Sequence, residues 1–572
     1  MNFKERIFDL GYSAQNPYKK LYISDKPSIL YSDGDSENVI FNTIKDLPVE
    51  HHARHDKLEE AIKDWPTKYH FAWERVNILK PVEFNTNDSA LELGGGTGII
   101  SEYICPKVDN LITIEGTLTR AKSIVERTKN HKNNSVIVAD FLELDLIHLF
   151  GENSFDKILL IGVLEYAPKF AKEFDTDPIE SLLKTCNKLL KKDGQLIIAI
   201  ENKIGLKYLL GFNEDHNRTP YYGIQSFYKK DETITFSKVK LKNKLSDTGF
   251  KGSNFYYPFP DYKLPSVIIK DCDIMKSNEG RNLIASLLYN SKSQNYSGQN
   301  GPNLQEGRIL KNFMDNDSLD IISNSFLVIA ERTQSEEKQD TPFAFYFSNN
   351  RRYKYANEIK FIFHENTIKV LKKWFGNKTS ENILNLVVNG ETEIDFVHGR
   401  NLDILLDTYY LLNEKENYNN LFLKWIKFVE PQIPASGTNK FDIMPFNTLI
   451  EDNDTYKLID TNEWETSKPL TLNQLVGKYV LREKRHFKWL LESNDIDDLL
   501  LINKTLIHFG LTELSMLEYL DLKEINEFIS TNISRKKYKT SVSKPTNDSL
   551  KSKVKKMIPN RLKNKIKQLL FG

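Results

Sequence analysis

Apolar residues in the first part of this chain fall into five short runs, and each run closes on an acid. ALEL contains Glu92, LITI leads to Glu115, SVIVA to Asp140, DKILLIGVL to Glu165 and QLIIAI to Glu201. Continuous apolar runs of this length are the pattern of strands buried on both faces, as in a parallel sheet. The first run leads into Gly94, Gly95, Gly96 and Gly98, and apolar residues resume at Ile99 and Ile100. That order predicts a strand, a tight turn and a helix start, with glycine supplying the backbone freedom and leaving N–H groups free for a polar ligand. An α/β fold with a doubly wound, mostly parallel sheet follows. Ligands of such sheets lie beyond the carboxyl ends of the strands, so the five acids are placed along one rim.

The flanks are patterned differently. Residues 1–50 mix strand-like pieces (LYIS, SILYS, NVIF) with turn signals such as SDGDSEN and read as a small N-terminal cap. Residues 51–80 read as helical, with Trp65, Phe71, Val76 and Leu79 as a core stripe. Tyr69 and His70 sit just upstream of the glycine turn and either line the site or pack. His51 and His55 are four apart but have no third ligand nearby, so they read as solvated surface residues. Beyond Glu201, residues 203–232 form a long connection of the kind that often serves as a lid. It carries Glu214, Asp215 and His216 in a row, either a cluster for proton handling or a polar capping turn. A helix (ITFSKVKLKNKLSDTGF) follows, then two final antiparallel strands (SNFYYPFP and SFLVIAER) around a polar insertion at about 262–322.

Composition changes this picture little. A length of 572 residues suits two or three domains, and a net charge of +1 gives no global field pointing to nucleic acid. Cys105, Cys186 and Cys272 are far apart, so neither a disulfide framework nor a cysteine zinc site is indicated, and a reducing cytosol fits. MNFKERIFDLGYS lacks a signal-peptide core, and no run approaches the ~20 apolar residues of a membrane span.

The spacing of the acids carries chemistry. Glu115 lies 23 residues after Glu92, where an acid can accept both ribose hydroxyls, and Asp140 with Phe141 can hold and cover an adenine ring. Acid after strand one, acid after strand two and acid after strand three, with E-L-G-G-G-T-G in place of G-x-G-x-x-G, resembles the class I S-adenosylmethionine-dependent methyltransferases. YHFAWERVNIL, LELGGGTG, GVLEYA, AIENKIGLKY, EDHNRTPYYGI and YYPFPDYKLP together are similar to a bacterial subfamily of surface-polysaccharide and O-antigen type, over about residues 20–335. The resemblance implies a Rossmann-like methyltransferase domain over residues 51–335 that binds S-adenosylmethionine through Glu92, Gly94, Gly96, Gly98, Glu115, Asp140 and Phe141. Glu201 and His216, then Glu165, are left on the acceptor side as candidate catalytic groups.

After QSEEKQD a second unit begins, residues 341–534. FAFYFSN, NEIKFIFHE and TIKVLKKWF read as strands of a small antiparallel sheet. IDFVHGRNLDILL and KFDIMPFNTLIEDNDTYKLIDTNEW resemble aminoglycoside-phosphotransferase-like kinases, which implies an α+β domain that binds Mg-ATP. By that resemblance Asp442 is the base, Asn447 and Asp460 are the metal ligands and Lys369 is the phosphate-contacting lysine. The pattern departs from the family. No glycine-rich loop precedes Lys369, Glu381 is a weak candidate for its acidic partner, and the acid triplet reads DTN. A degenerate kinase fold used for binding therefore stays open. The tail, 535–572, holds thirteen Lys or Arg against one acid, Asp548. Leu562, Ile566, Leu569 and Leu570 fall on one helical face after Pro559, which reads as a basic amphipathic anchor for a membrane surface, or as a helix docked on its own domain.

Three functions stand open at this point. The first is methyl transfer to an oxygen of a glycan or glycan-linked phosphate in cell-surface polysaccharide synthesis. The second is a bifunctional glycan kinase-methyltransferase, and the third is a membrane-associated assembly scaffold. The expected partners are a glycan or lipid-linked glycan acceptor and an anionic membrane surface, with nucleic acid excluded. The expected place is the cytoplasm, peripheral on the inner face of the membrane.

Overall fold

The computed structural model describes residues 3–15, 17–24, 36–47, 56–171, 176–296, 302, 304–334, 340–365, 367–376, 384–386, 390–433, 442–460, 463–466 and 470–535. As far as Ile394 the strands, in chain order, are β1 (Ser13–Ala14), β2 (Leu21–Ile23), β3 (Ser89–Leu93), β4 (Asn110–Glu115), β5 (Asn134–Val138), β6 (Phe155–Ile161), β7 (Leu190–Glu201), β8 (Gly252–Phe259), β9 (Val267–Lys270), β10 (Ser325–Glu331), β11 (Pro342–Phe347), β12 (Asn357–His364), β13 (Thr367–Trp374), β14 (Leu384–Leu386) and β15 (Glu391–Ile394). All but β14 belong to one sheet, ordered β1-β2-β5-β4-β3-β6-β7-β10-β8-β9-β11-β12-β13-β15. From β2 to β7 the pairing is parallel, and from β10 onward it is antiparallel.

The central strands explain why the runs are apolar throughout. Alternate side chains of one strand feed opposite faces. Leu91, Ile158, Leu160, Ile198 and Val328 enter one core with the helix Pro178–Leu189. Ala90, Leu159, Ile161, Ile197 and Leu327 enter another with the helix Ile99–Ile104. The strand order reverses at β3, whose neighbours are β4 and β6. The crevice above that reversal is where this sheet type takes its ligand.

Several expectations are corrected. NVIF is not a strand: it lies within the helix Ser36–Lys45, which buries Ile40 and Ile44. Four apolar and β-branched residues do not by themselves distinguish a short strand from a helical turn. The polar insertion contains β9, which pairs with β8 on one side and β11 on the other. The boundary drawn at 341 therefore falls inside a continuous sheet rather than between two sheets. Beyond β15 a separate helical core gathers Tyr418, Phe422, Trp425, Tyr479 and Phe487. His51, His55, Glu381 and residues 536–572, with the tail's apolar face, lie outside the described residues. Among the described residues no helix is long and apolar enough to cross a membrane, and the three cysteines are free thiols.

Candidate active site

The glycine turn forms because two of its positions tolerate nothing larger. Gly98 has φ of 87°, and a Cβ there would meet the Ile124 backbone Cα at 2.8 Å. A Cβ on Gly95 would lie 2.3 Å from Thr113 Cγ2. The chain leaving β3 is thereby pressed against β4 and the helix Leu118–Arg127. Gly94, Gly95 and Gly96 line a cavity of about 350 Å³, whereas Gly98 packs on Ile124 and does not reach it. Gly98, expected to contact the ligand, is thus held in the turn by its packing on Ile124.

Glu92, Glu115, Asp140 and Phe141 line the same cavity. Glu92 accepts from Ser101 Oγ at 2.5 Å and Thr113 Oγ1 at 3.2 Å. Burial pushes its carboxyl up to about 7, against the pull of those hydroxyls. Glu115 accepts the N–H groups of Gly96 and Thr117 at 2.8 and 3.0 Å, which fixes its carboxylate across the turn. Asp140 accepts the Leu142 N–H at 3.0 Å. His70 and Tyr69 also line the cavity, His70 with Nδ1 3.0 Å from Thr97 Oγ1. Across the opening the Trp65 and Tyr296 rings lie 3.9 Å apart between centroids.

The far wall is built by the connection after β7 and by the segment that follows β8. Glu201, at the end of β7, is fully buried, and Lys263 Nζ donates to its Oε1. Tyr262 Oη donates to the same oxygen at 3.3 Å. Lys263 and Lys207 both hold Asp215, at 2.6 and 2.7 Å. His216 Nε2 stands 3.6 Å from Glu201 Oε2, an ion-pair contact too long for a hydrogen bond. Glu214 accepts the backbone N–H groups of His216 and Asn217 at 2.8 and 2.6 Å. It is therefore a turn-capping acid, the second of the two roles the sequence left open for this triplet. Glu165 is fully buried, and neither of its carboxylate oxygens has a hydrogen-bond partner.

The charges divide accordingly. Burial works to raise the Glu201 carboxyl, but Lys263 and His216 outweigh it and hold it well below the usual carboxylate range. Burial and the Glu201 charge push Glu165 up to about 8. Burial works to lower His216, but Glu201 and Glu214 overcome it and carry the imidazole up to about 9. Of the three, His216 lines the cavity, while Glu165 and Glu201 stand behind it. Lys263, Lys207 and Tyr262 were not singled out in the sequence. They lie off the ends of the parallel strands, and the strand-end rule reaches only those ends.

The C-terminal candidates form a separate group. On β13 the side chain of Lys369 is half-buried. It is Lys372 that is buried and ion-paired, to Asp460 and, at 2.5 Å, to Glu463. The buried, ion-paired lysine of β13 is therefore Lys372 and not Lys369. Burial works to raise Asp460, but the Lys372 charge keeps it below the ordinary range, while burial pushes Glu463 up to about 8. Asn447 Nδ2 donates to the Asp442 carbonyl at 3.0 Å, and Lys478 Nζ lies 3.3 Å from Asp442 Oδ1.

Residues 91–198 match the family described as "Methyltransferase domain". A ubiquinone biosynthesis O-methyltransferase of Pelagibacter ubique is 26% identical over 196 residues, which cover 32% of this chain and 73% of that protein. A ribosomal RNA small subunit methyltransferase A of Trichormus variabilis is 37% identical over 70 residues, covering 12% of this chain and 26% of that protein. A solved S-adenosylmethionine-dependent methyltransferase of Archaeoglobus fulgidus is 15% identical at a TM-score of 0.26, over 45% of this chain and 91% of that one. The expected partners are corrected by these relatives. Several are named for ribosomal RNA, so nucleic acid is not an excluded partner class, and the glycan acceptor and membrane surface lose their place. The residues fit the cofactor that the domain implies: three carboxyl groups and an aromatic ring line one cavity beside the glycine turn, although the N–H groups of Gly94, Gly95 and Gly96, expected to be free, are taken by Ile114 and Glu115. The matched domain and the site built on it make this chain an S-adenosylmethionine-dependent methyltransferase.

Proposed function

We propose that the chain methylates an oxygen, and that the acceptor hydroxyl is prepared by the Glu165–Glu201–His216 cluster. The observation that carries this reading is the placement of His216. It lines the cavity, yet its side chain is only 11% exposed and Glu201 stands 3.6 Å behind Nε2. Glu115 takes the ribose hydroxyls, Asp140 and Phe141 the adenine, and Glu92 the amino-acid end of the cofactor. Bound S-adenosylmethionine supplies an electrophilic methyl group. Displacement at such a methyl is in line, so most of the rate comes from positioning. A hydroxyl nucleophile also has to lose its proton; His216, carried up to about 9, takes it in its neutral form, so turnover rises with pH toward that value, and a placed base of this kind assists by about 10²–10⁴-fold. The O-methyltransferase named among the relatives supports an oxygen acceptor.

The test replaces His216 by Asn and follows S-adenosylhomocysteine release with small-molecule and RNA fractions of a cell extract as acceptors. Turnover is expected to fall by about 10²-fold or more, while calorimetry finds cofactor affinity within twofold of wild type. Undiminished turnover would remove the cluster from the reaction.

A second reading concerns the C-terminal unit, which we propose binds Mg-ATP through Lys372 and Asp460. Two observations favour it. A fully buried lysine held by two acids is costly to keep for stability alone. Asp460 also has φ of 59°, an uncommon backbone for a residue that is not glycine, and such strain clusters at functional sites.

A further inference from the structure

The same far wall has unused ligand capacity. Both oxygens of Glu165, Oε2 of Glu201 and Nε2 of His216 are buried and have no hydrogen-bond partner. One ligand atom from each of these residues lies within 4.8 Å of the others. Buried polar atoms are ordinarily paired, so unpaired ones from three residues converging on one spot call for a guest. Glu201 is divided between two tasks: Oε1 takes Lys263 and Tyr262, and Oε2 faces His216. The supports are fixed from outside the cluster. The Glu165 carbonyl accepts the Ile234 N–H at 3.0 Å, and the His216 backbone is tied to Glu214.

We propose that Glu165, Glu201 and His216 hold a divalent cation at the edge of the cavity. Two carboxylates and an imidazole suit Mn²⁺, Zn²⁺ or Fe²⁺, and Mg²⁺ more weakly. On loading, any proton on Glu165 or His216 passes to solvent, and both groups become ligands. The cation then does by Lewis acidity what proton transfer does in its absence: it draws the acceptor oxygen in and lowers the pKa of its hydroxyl. This inference rests on the reading that the cluster faces the acceptor.

The test is binding rather than turnover. Mn²⁺ is titrated into the full chain without cofactor and followed by electron paramagnetic resonance. We expect one bound ion per chain, with a histidine-nitrogen coupling that disappears in His216→Asn. Glu165→Gln and Glu201→Gln should each weaken binding by about tenfold or more, as loss of a ligand does. Asp315→Asn, at the exposed pair with Lys311, should leave it unchanged. Thermal melts establish that each variant is folded. Equal Mn²⁺ affinity in wild type and Glu165→Gln, a histidine coupling that survives in His216→Asn, or no binding of Mn²⁺ or Zn²⁺ at millimolar concentration overturns the proposal. If no metal binds but His216→Asn still loses turnover, the cation falls and the oxygen-methylation reading stands. If the metal binds and His216→Asn keeps full turnover, the outcome is reversed.

Discussion

Glu92 sets a pH dependence that can be worked out from its surroundings. In the unfolded chain it titrates as an ordinary carboxyl, near 4.3. In the fold, burial pushes it up to about 7, with the Glu115 charge adding to the effect and the Ser101 and Thr113 hydroxyls opposing it. The folded state therefore holds a proton that the unfolded state has released. The stability this represents is fully present below the unfolded value and is lost as pH rises through about 7. A shift of this size corresponds to something on the order of 3 kcal/mol. Glu92→Gln keeps the shape and cannot ionise. Between pH 5 and pH 8 the variant is expected to lose less stability than wild type, by an amount approaching that figure, in denaturant midpoints taken at each pH. Parallel losses in the two proteins would mean that Glu92 is already ionised at pH 5. The place of this acid on the cavity was legible from its position at the end of an apolar run. Its protonation was not, because that depends on how completely Ile99–Ile104 and β4 enclose it, and enclosure is a tertiary property.

Strand alternation decides which lysine of TIKVLKKW is buried. Along β13 the buried positions are Ile368, Val370, Lys372 and Trp374, a strict period of two. A one-residue error in reading the phase moves every side chain to the other face. The sequence places Lys369 in the phosphate position from family resemblance, and apolar neighbours on both sides leave the phase ambiguous. In the structure Asp460 and Glu463 meet Lys372. If the unit binds Mg-ATP, millimolar nucleotide should raise the melting temperature of wild type by about 2 °C or more. Lys372→Met should abolish that rise, and Lys369→Met should leave it. A rise retained in both variants would mean that neither lysine contacts the nucleotide. Legibility at this scale followed burial. The five apolar runs reach the central parallel strands, whose environment is uniform on both faces. NVIF misled because it lies on a half-covered helix at the sheet's edge, where four residues fit either period.

At the scale of the molecule the two halves share a sheet, and that makes the first half dependent on the second. β11 hydrogen-bonds β9, and Phe345 and Phe347 enter the core built by β3, β6, β7 and β10. Lys80 meets the buried Glu358 at 2.5 Å, and Asn77 donates to Asn349 at 3.1 Å. Arg535, at the far end of the helical unit, pairs with Glu59 at 3.0 Å and with Glu74 beside the cavity-forming helix Trp65–Phe71. A sequence boundary at 335–341 was drawn where composition becomes polar, and composition does not reveal strand pairing across a linker. The dependence can be measured. A chain ending at Thr333 keeps every residue that lines the cavity, since the lining runs from Trp65 to Tyr296. It leaves β9 as an open edge, with a row of unpaired N–H and C=O groups, and it uncovers the apolar surface under Phe345 and Phe347. An unprotected edge of this kind pairs with other chains. Size-exclusion chromatography should therefore find the shortened protein largely as oligomers, with S-adenosylmethionine affinity reduced at least tenfold in the monomer fraction, because Glu74 and Lys80 have lost their partners and the helix Trp65–Phe71 its support. A shortened chain that runs as a monomer and binds cofactor as wild type does would establish that the methyltransferase half folds and works alone, and that the shared sheet is only a junction between independent units.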